Sequence, residues 1–157
     1  MNVYLMQHGK PVPKEEDPDR PLSARGIEDV KRMADFLKNA GVFEMGATFH
    51  SGKTRAKQTA EIIVSSLKIG REPQEKKGLS PLDDVKMIAG EIKRNSQNWL
   101  LVGHLPHLGK LTSFLITGSD TGLIVSFQQG GILCLRSDDG SVDWEIAWML
   151  VPEIIPQ

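Results

Sequence analysis

Cysteine is nearly absent from this 157-residue chain, and the one thiol, Cys134, excludes any disulfide within the molecule. It lies in the apolar run Ile132-Leu133-Cys134-Leu135, a setting that predicts a buried, inert thiol. An excess of one charge is also lacking. Nineteen Lys and Arg face 20 Asp and Glu, a formal charge of −1, so nothing marks a nucleic acid or an anionic membrane as partner. Any recognition of phosphate must then come from a few placed groups. Long hydrophobic runs are missing too. Met1 to Met6 is apolar for only a few residues and has no cationic lead-in, too short for a signal peptide or a membrane span. The expected location is the cytoplasm. No repeat, low-complexity tract or linker interrupts the chain, and its length suits a single domain over residues 1–157.

What is present alternates short apolar runs with helix-period segments. Val3 to Gln7 reads as a first strand, followed by a polar loop from Lys10 to Pro21. Ser23 can cap a helix with Ile27, Val30, Ala34 and Leu37 on one face, which Gly41 ends. Ala47 to His50 is a second strand, and Ser51 a cap for a second helix with Ala56, Ala60, Ile63 and Leu67 inward. A short strand is expected near Glu72 to Glu75. Asp83 can cap a third helix carrying Val85, Ile88, Ala89 and Ile92. Trp99 to Gly103 is almost wholly apolar, as in a strand buried on both faces, and Pro106 suits the first turn of a fourth helix with Leu108, Leu111, Thr112 and Leu115 inward. Strands alone follow: Leu123 to Phe127, Ile132 to Arg136 and Val142 to Met149, with Asp139-Gly140 a turn between the last two. This order predicts an α/β fold: a three-layer α/β/α sandwich with a mostly parallel sheet and an antiparallel edge strand.

In such sheets ligands collect at the carboxyl ends of the strands. Three of the four histidines fall there: His8, His50 and His104. His8-Gly9 and Gly103-His104 each place a glycine where the backbone must turn or approach a ligand closely. His50, without further support, reads as structural. Arg55 lies in the first turn of the second helix, where backbone N–H groups and the helix dipole favour an anion. By position alone, a phosphate-gripping guanidinium and a solvated surface arginine stay equally open. Gly103 to Lys110 is not a phosphate-binding P-loop, because five residues separate its glycines and Leu111 follows the lysine. His104 and His107 have no carboxylate or thiol nearby in sequence to complete a metal site.

Gln7-His8-Gly9 resembles the Arg-His-Gly signature of the histidine phosphatase superfamily, which includes the phosphoglycerate mutases. Ser51 to Ala60 is similar to its second motif, around a phosphate-binding arginine, and Val102-Gly103-His104 to the third, around a second phosphate-binding histidine. The short length, Arg20-Pro21-Leu22-Ser23 and Gly103-His104-Leu105-Pro106 resemble the phosphohistidine phosphatase (SixA-type) branch. The resemblance implies a phosphoglycerate mutase-like fold and a cytoplasmic hydrolase in signal transduction. His8 would attack phosphorus and carry a phosphohistidine, and Arg55, His104, Gln7 and Gly9 would hold the phosphoryl oxygens. Nearby cations would keep His8 neutral. No metal or organic cofactor is implied. The partner would be a phosphohistidine-bearing protein, such as a phosphotransfer domain, or a small phosphorylated substrate, with no nucleic acid or membrane. Oligomeric state is not indicated.

Two departures stand out. Gln7 replaces the signature arginine, and losing one charge-assisted hydrogen bond of roughly 1.5–3 kcal/mol costs roughly ten- to a hundredfold in transition-state stabilisation. The glutamate of mutase-like members is also missing: Gly78-Leu79-Ser80-Pro81 carries no carboxylate before Asp83. Asp83, or Glu15 in Glu15-Glu16-Asp17, is a candidate general acid, though surface or capping roles suit them better. A missing acid matters less for the labile P–N bond of phosphohistidine. The alternatives are a phosphatase for small phosphate esters, and a weakly active or non-catalytic phospho-binding module marked by Gln7.

Overall fold

The structure, a computed structural model, describes residues 1–138 and 143–157. Its centre is β1 (Asn2–Gln7), where Val3, Tyr4, Leu5 and Met6 are all fully buried. β1 pairs in parallel with β4 (Trp99–Gly103), which pairs in parallel with β2 (Ala47–His50), itself parallel to the two-residue β3 (Gln74–Glu75). On its other side β1 meets β5 (Ile132–Arg136) antiparallel, and β6 (Glu145–Leu150) closes that edge antiparallel to β5. The order is β3-β2-β4-β1-β5-β6.

Alternation along the strands builds two cores. Val3, Leu5, Leu101, Leu133 and Leu135 face α3 (Val85–Arg94) and α4 (His107–Thr117). Tyr4, Met6, Leu100, Val102 and Cys134 face α1 (Ala24–Ala40) and α2 (Thr54–Ser66). Because both faces are covered, β4 and the Val3–Met6 stretch of β1 carry no charged or amide side chain, and the three-layer expectation holds. Cys134 is buried as expected, and burial pushes its thiol up to about 11. Among the described residues, no helix is long and apolar enough to cross a membrane.

Several local expectations need correction. Leu123 to Phe127 forms no strand, although Val125 and Phe127 are buried in the α3–α4 core. Its alternation reflects burial alone: Val125 and Phe127 pack into that core while the segment joins no strand of the sheet. α2 begins at Thr54 with Lys53, not Ser51, at its cap position. α3 is capped by Asp84, which accepts from the Lys86 N–H, while Asp83 accepts from Ser80 N–H one turn earlier. The Asp139-Gly140 turn and Val142, the start of the last predicted strand, lie outside the described residues. Ser23 and Gly41 cap α1 as expected, Gly41 at φ 62°.

The loop after β1 is strapped onto α1 and α2. The Lys10 carbonyl accepts from both N–H and Oγ of Ser23, at 2.8 and 2.9 Å. Leu22 N–H donates to Gln58 Oε1 at 2.7 Å. Gly26, in the first turn of α1, presses on Lys10, and a Cβ there would overlap the Lys10 carbonyl oxygen. Gly26→Ala is therefore expected to lower the urea midpoint: helix propensity favours Ala by about 1 kcal/mol, but overlap with fixed backbone costs roughly 1–3 kcal/mol. A raised midpoint would show that the loop yields freely.

Candidate active site

Sheet register sets the site. Gln7 is level with Gly103, and His50 with Val102, so residues 8, 51 and 104 leave neighbouring strands side by side. The His8 N–H donates to the Gly103 carbonyl at 3.1 Å, fixing that exit. The rings of His8 and His104 stand 4.9 Å apart between centroids, inclined at 52°. Arg55, in the first turn of α2, donates from Nε to His8 Nε2 at 3.2 Å. Two imidazoles and one guanidinium, distant in the chain, thus converge. His8 and His104 are only 6% and 2% exposed.

Hydrogen bonding defines the state of His8. Its Nδ1 lies 2.7 Å from the Gly9 carbonyl, which can only accept, so Nδ1 carries the proton. Nε2 then presents a lone pair, the atom that receives the Arg55 N–H. Burial is the main force lowering the His8 pKa to about 4; Arg55 and Arg20 add to it, and the Gly9 bond opposes it. Burial likewise lowers His104 to about 3, aided by His8, Arg55 and Lys53. Neutrality was expected from nearby cations; the larger cause is removal from water.

The remaining residues refine this picture. Ser51 Oγ shares a 2.6 Å hydrogen bond with His104 Nε2, so the residue expected as a cap belongs to the site. The sequence signal was Gly52, whose φ of 87° separates Ser51 from the helix. Thr59, on the buried side of α2, accepts from Gly9 N–H at 3.0 Å and donates to the Arg55 carbonyl at 2.7 Å. The Gly9 amide, expected to bind phosphate, is thereby already committed. Gly9 is glycine for space: a Cβ would come within 2.8 Å of Val30 Cγ2. Gln7 is 8% exposed, its Oε1 without a hydrogen-bond partner among the described residues, on the α4 side like its register neighbour Gly103. His50 is structural as expected, its Nδ1 accepting from Gly52 N–H at 3.0 Å. His107 is fully buried, with neither ring nitrogen in good hydrogen-bond geometry. Asp83 lines a neighbouring cleft with Ser51, its carboxylate engaged by Ser80. Glu15 sits exposed in a turn. Among the described residues, no carboxylate hydrogen-bonds to His8 or His104.

Residues 3–84 match the model of the histidine phosphatase superfamily, branch 1. The chain belongs to that superfamily. Phosphohistidine phosphatase SixA of Escherichia coli is 25% identical over 152 residues, covering 94% of each chain. An uncharacterized protein of Picosynechococcus is 32% identical over 144 residues, 87% of this chain and 86% of its own. The solved structure of the protein histidine phosphatase SixA complexed with tungstate matches with a TM-score of 0.84 at 25% identity, over 97% of each chain. This histidine phosphatase is thus a hydrolase of the SixA-type branch with a phosphoglycerate mutase-like fold. The readings as a small-ester phosphatase or a non-catalytic module are not favoured.

The buried histidines make stability depend on pH. Both bind a proton less readily when folded, at about 4 and about 3 against 6.5 unfolded, so acid favours the unfolded chain. Their contribution is intact above about pH 6.5 and is lost as pH falls towards 4 and 3. Melting temperature is expected to drop across that window, and His8→Asn to flatten the drop. An equal slope in the variant would contradict the buried neutral ring.

Proposed function

We propose that this histidine phosphatase removes phosphoryl groups from phosphohistidine in proteins, through a covalent phosphohistidine on His8. The observation that carries this reading is the unprotonated Nε2 of His8, aimed at Arg55 and adjoining His104. In the first step Nε2 attacks phosphorus in line, forming a P–N bond as the P–N bond of the substrate, protonated on its other ring nitrogen, breaks and its electron pair leaves with a neutral imidazole. His8 gains positive charge, which the Nδ1–H bond to the Gly9 carbonyl spreads onto a fixed dipole. Arg55 and His104 hold the equatorial oxygens, where charge develops. Water then attacks the phosphoryl group, releasing inorganic phosphate and neutral His8.

Two features favour phosphohistidine as substrate. No carboxylate is hydrogen-bonded to either site histidine among the described residues, and a labile P–N bond tolerates a weak acid better than an ester does. SixA of Escherichia coli, a phosphohistidine phosphatase by name, is similar over nearly the whole chain. A protein carrying phosphohistidine, such as a phosphotransfer domain, is the matching partner.

Incubation with a phosphohistidine-bearing phosphotransfer domain should leave an acid-labile phosphoryl group on the enzyme and release phosphate. His8→Ala is expected to lower turnover by at least about a thousandfold; full activity in that variant would overturn the mechanism. Ser51→Ala removes one hydrogen bond of about 0.5–1.5 kcal/mol from His104, so turnover should fall about two- to tenfold. Because His8 stays neutral down to about pH 4, the acid limb of kcat/KM should lie near that value, not near 6.5. A limb near 6.5 would show that His8 is not held neutral by burial.

A further inference from the structure

The carboxyl ends of the parallel strands carry one more ionisable group, Glu75, the last residue of β3. It stands level with His50 on β2, beside the segment that enters the site. Its carboxylate turns onto that segment: a Cβ added at Gly52 would lie 2.6 Å from Glu75 Oε1 and 2.7 Å from its Cδ. Gly52, the residue after Ser51, thus leaves room for this carboxylate in addition to making its left-handed turn.

Glu75 and Ser51 also share a cleft of about 420 Å³, with Lys77, Gly78, Ser80 and Asp83 in its walls. Ser51 Oγ lies 2.6 Å from His104 Nε2, so one residue forms a wall of the cleft and a wall of the phosphoryl pocket. Three carboxylates line the cleft. Asp83 accepts from the Ser80 N–H and Asp84 from the Lys86 N–H, each at 2.9 Å. The neighbouring Lys76 is taken by Glu91 at 2.6 Å. Of the three, Glu75 alone makes no hydrogen bond or ion pair among the described residues. Exposure by itself would make it an ordinary solvated carboxylate; its place on Gly52, in the cleft that adjoins His104, gives it a chemical use.

A carboxylate beside a phosphate pocket repels a ligand that is only an anion. It suits a ligand that carries a phosphoryl group and, a few bonds away, a polar N–H. Phosphohistidine is such a ligand: phosphorus occupies one ring nitrogen, and the other must hold a proton for the ring to leave as a neutral imidazole. We propose that Glu75 accepts a hydrogen bond from that free ring N–H of the substrate and so selects phosphohistidine over phosphate esters. The inference rests on the reading of His8 as the nucleophile towards phosphohistidine. As the P–N electron pair returns to the substrate ring, the proton stays on the opposite nitrogen, and Glu75 neither gives nor takes one. Its negative charge favours the protonated ring, the form that leaves readily. An ester offers no such donor, and a site built around a substrate N–H discriminates against analogues that lack it.

The test compares kcat/KM for a phosphohistidine-bearing phosphotransfer domain with kcat/KM for p-nitrophenyl phosphate. Glu75→Gln keeps the size of the side chain and removes its charge. The ratio of the two values should fall at least about fivefold. Being a ratio, it does not change with the fraction of enzyme that is folded. Any smaller fall overturns the inference, as does a loss of all turnover on both substrates. His8→Ala separates the two levels of interpretation. If His8→Ala still turns over the phosphotransfer domain, the nucleophile reading itself fails. If His8→Ala is inactive while Glu75→Gln keeps the parent ratio, only the role of Glu75 fails.

Discussion

The parallel pairing of β1 with β4 is the constraint on which the site depends. Gln7 lies opposite Gly103, and the first bond beyond the ladder, from His8 N–H to the Gly103 carbonyl, carries the pairing one step past the sheet. Residues nearly a hundred positions apart are thus held at one level before any side chain is considered. A slip of one residue would turn every side chain of β1 to the opposite face and exchange its two cores. Since both faces are packed with fully buried residues, such a slip is heavily penalised. Core packing and site geometry are therefore two consequences of one register.

Burial has a second consequence. His8 and His104 sit where water is largely excluded, and that exclusion does more to keep them uncharged than the cations around them. In the same dry setting, an electrostatic contact with a phosphoryl oxygen gains strength. Low exposure thus prepares the nucleophile and strengthens the groups that hold its substrate. The fold meets the cost of burying polar rings through the Gly9 carbonyl, Ser51 and Arg55, although among the described residues His104 Nδ1 has no hydrogen-bond partner.

Much of this was readable from residue pattern. The apolar strands, the caps at Ser23 and Gly41, and histidines placed at strand ends follow from local rules of periodicity and turn chemistry. The placing of His8 and His104 followed from the same topology, whereas Arg55, open by position, gained its role only through the family resemblance. Less accessible were features set by contacts distant in sequence. Ser51 reads as a cap because a serine before a helix usually is one, and only its distance from Thr54 and its neighbour His104 show otherwise. Gly9 suggests an amide open to a ligand, yet the fold spends that amide on Thr59. Leu123 to Phe127 alternates like a strand, but its buried residues pack on the α3–α4 core without pairing to the sheet. Each miss arose where a partner, not a local propensity, decided the outcome.

Thr59 illustrates how such partners shape behaviour. One hydroxyl receives the Gly9 amide and is anchored to the Arg55 carbonyl, so it ties the segment bearing the nucleophile to the helix bearing the guanidinium. Any tilt of α2 would drag the end of β1 with it. Attacking atom and anion clamp consequently share a single mechanical frame, and their spacing is insulated from motions of the outer helices.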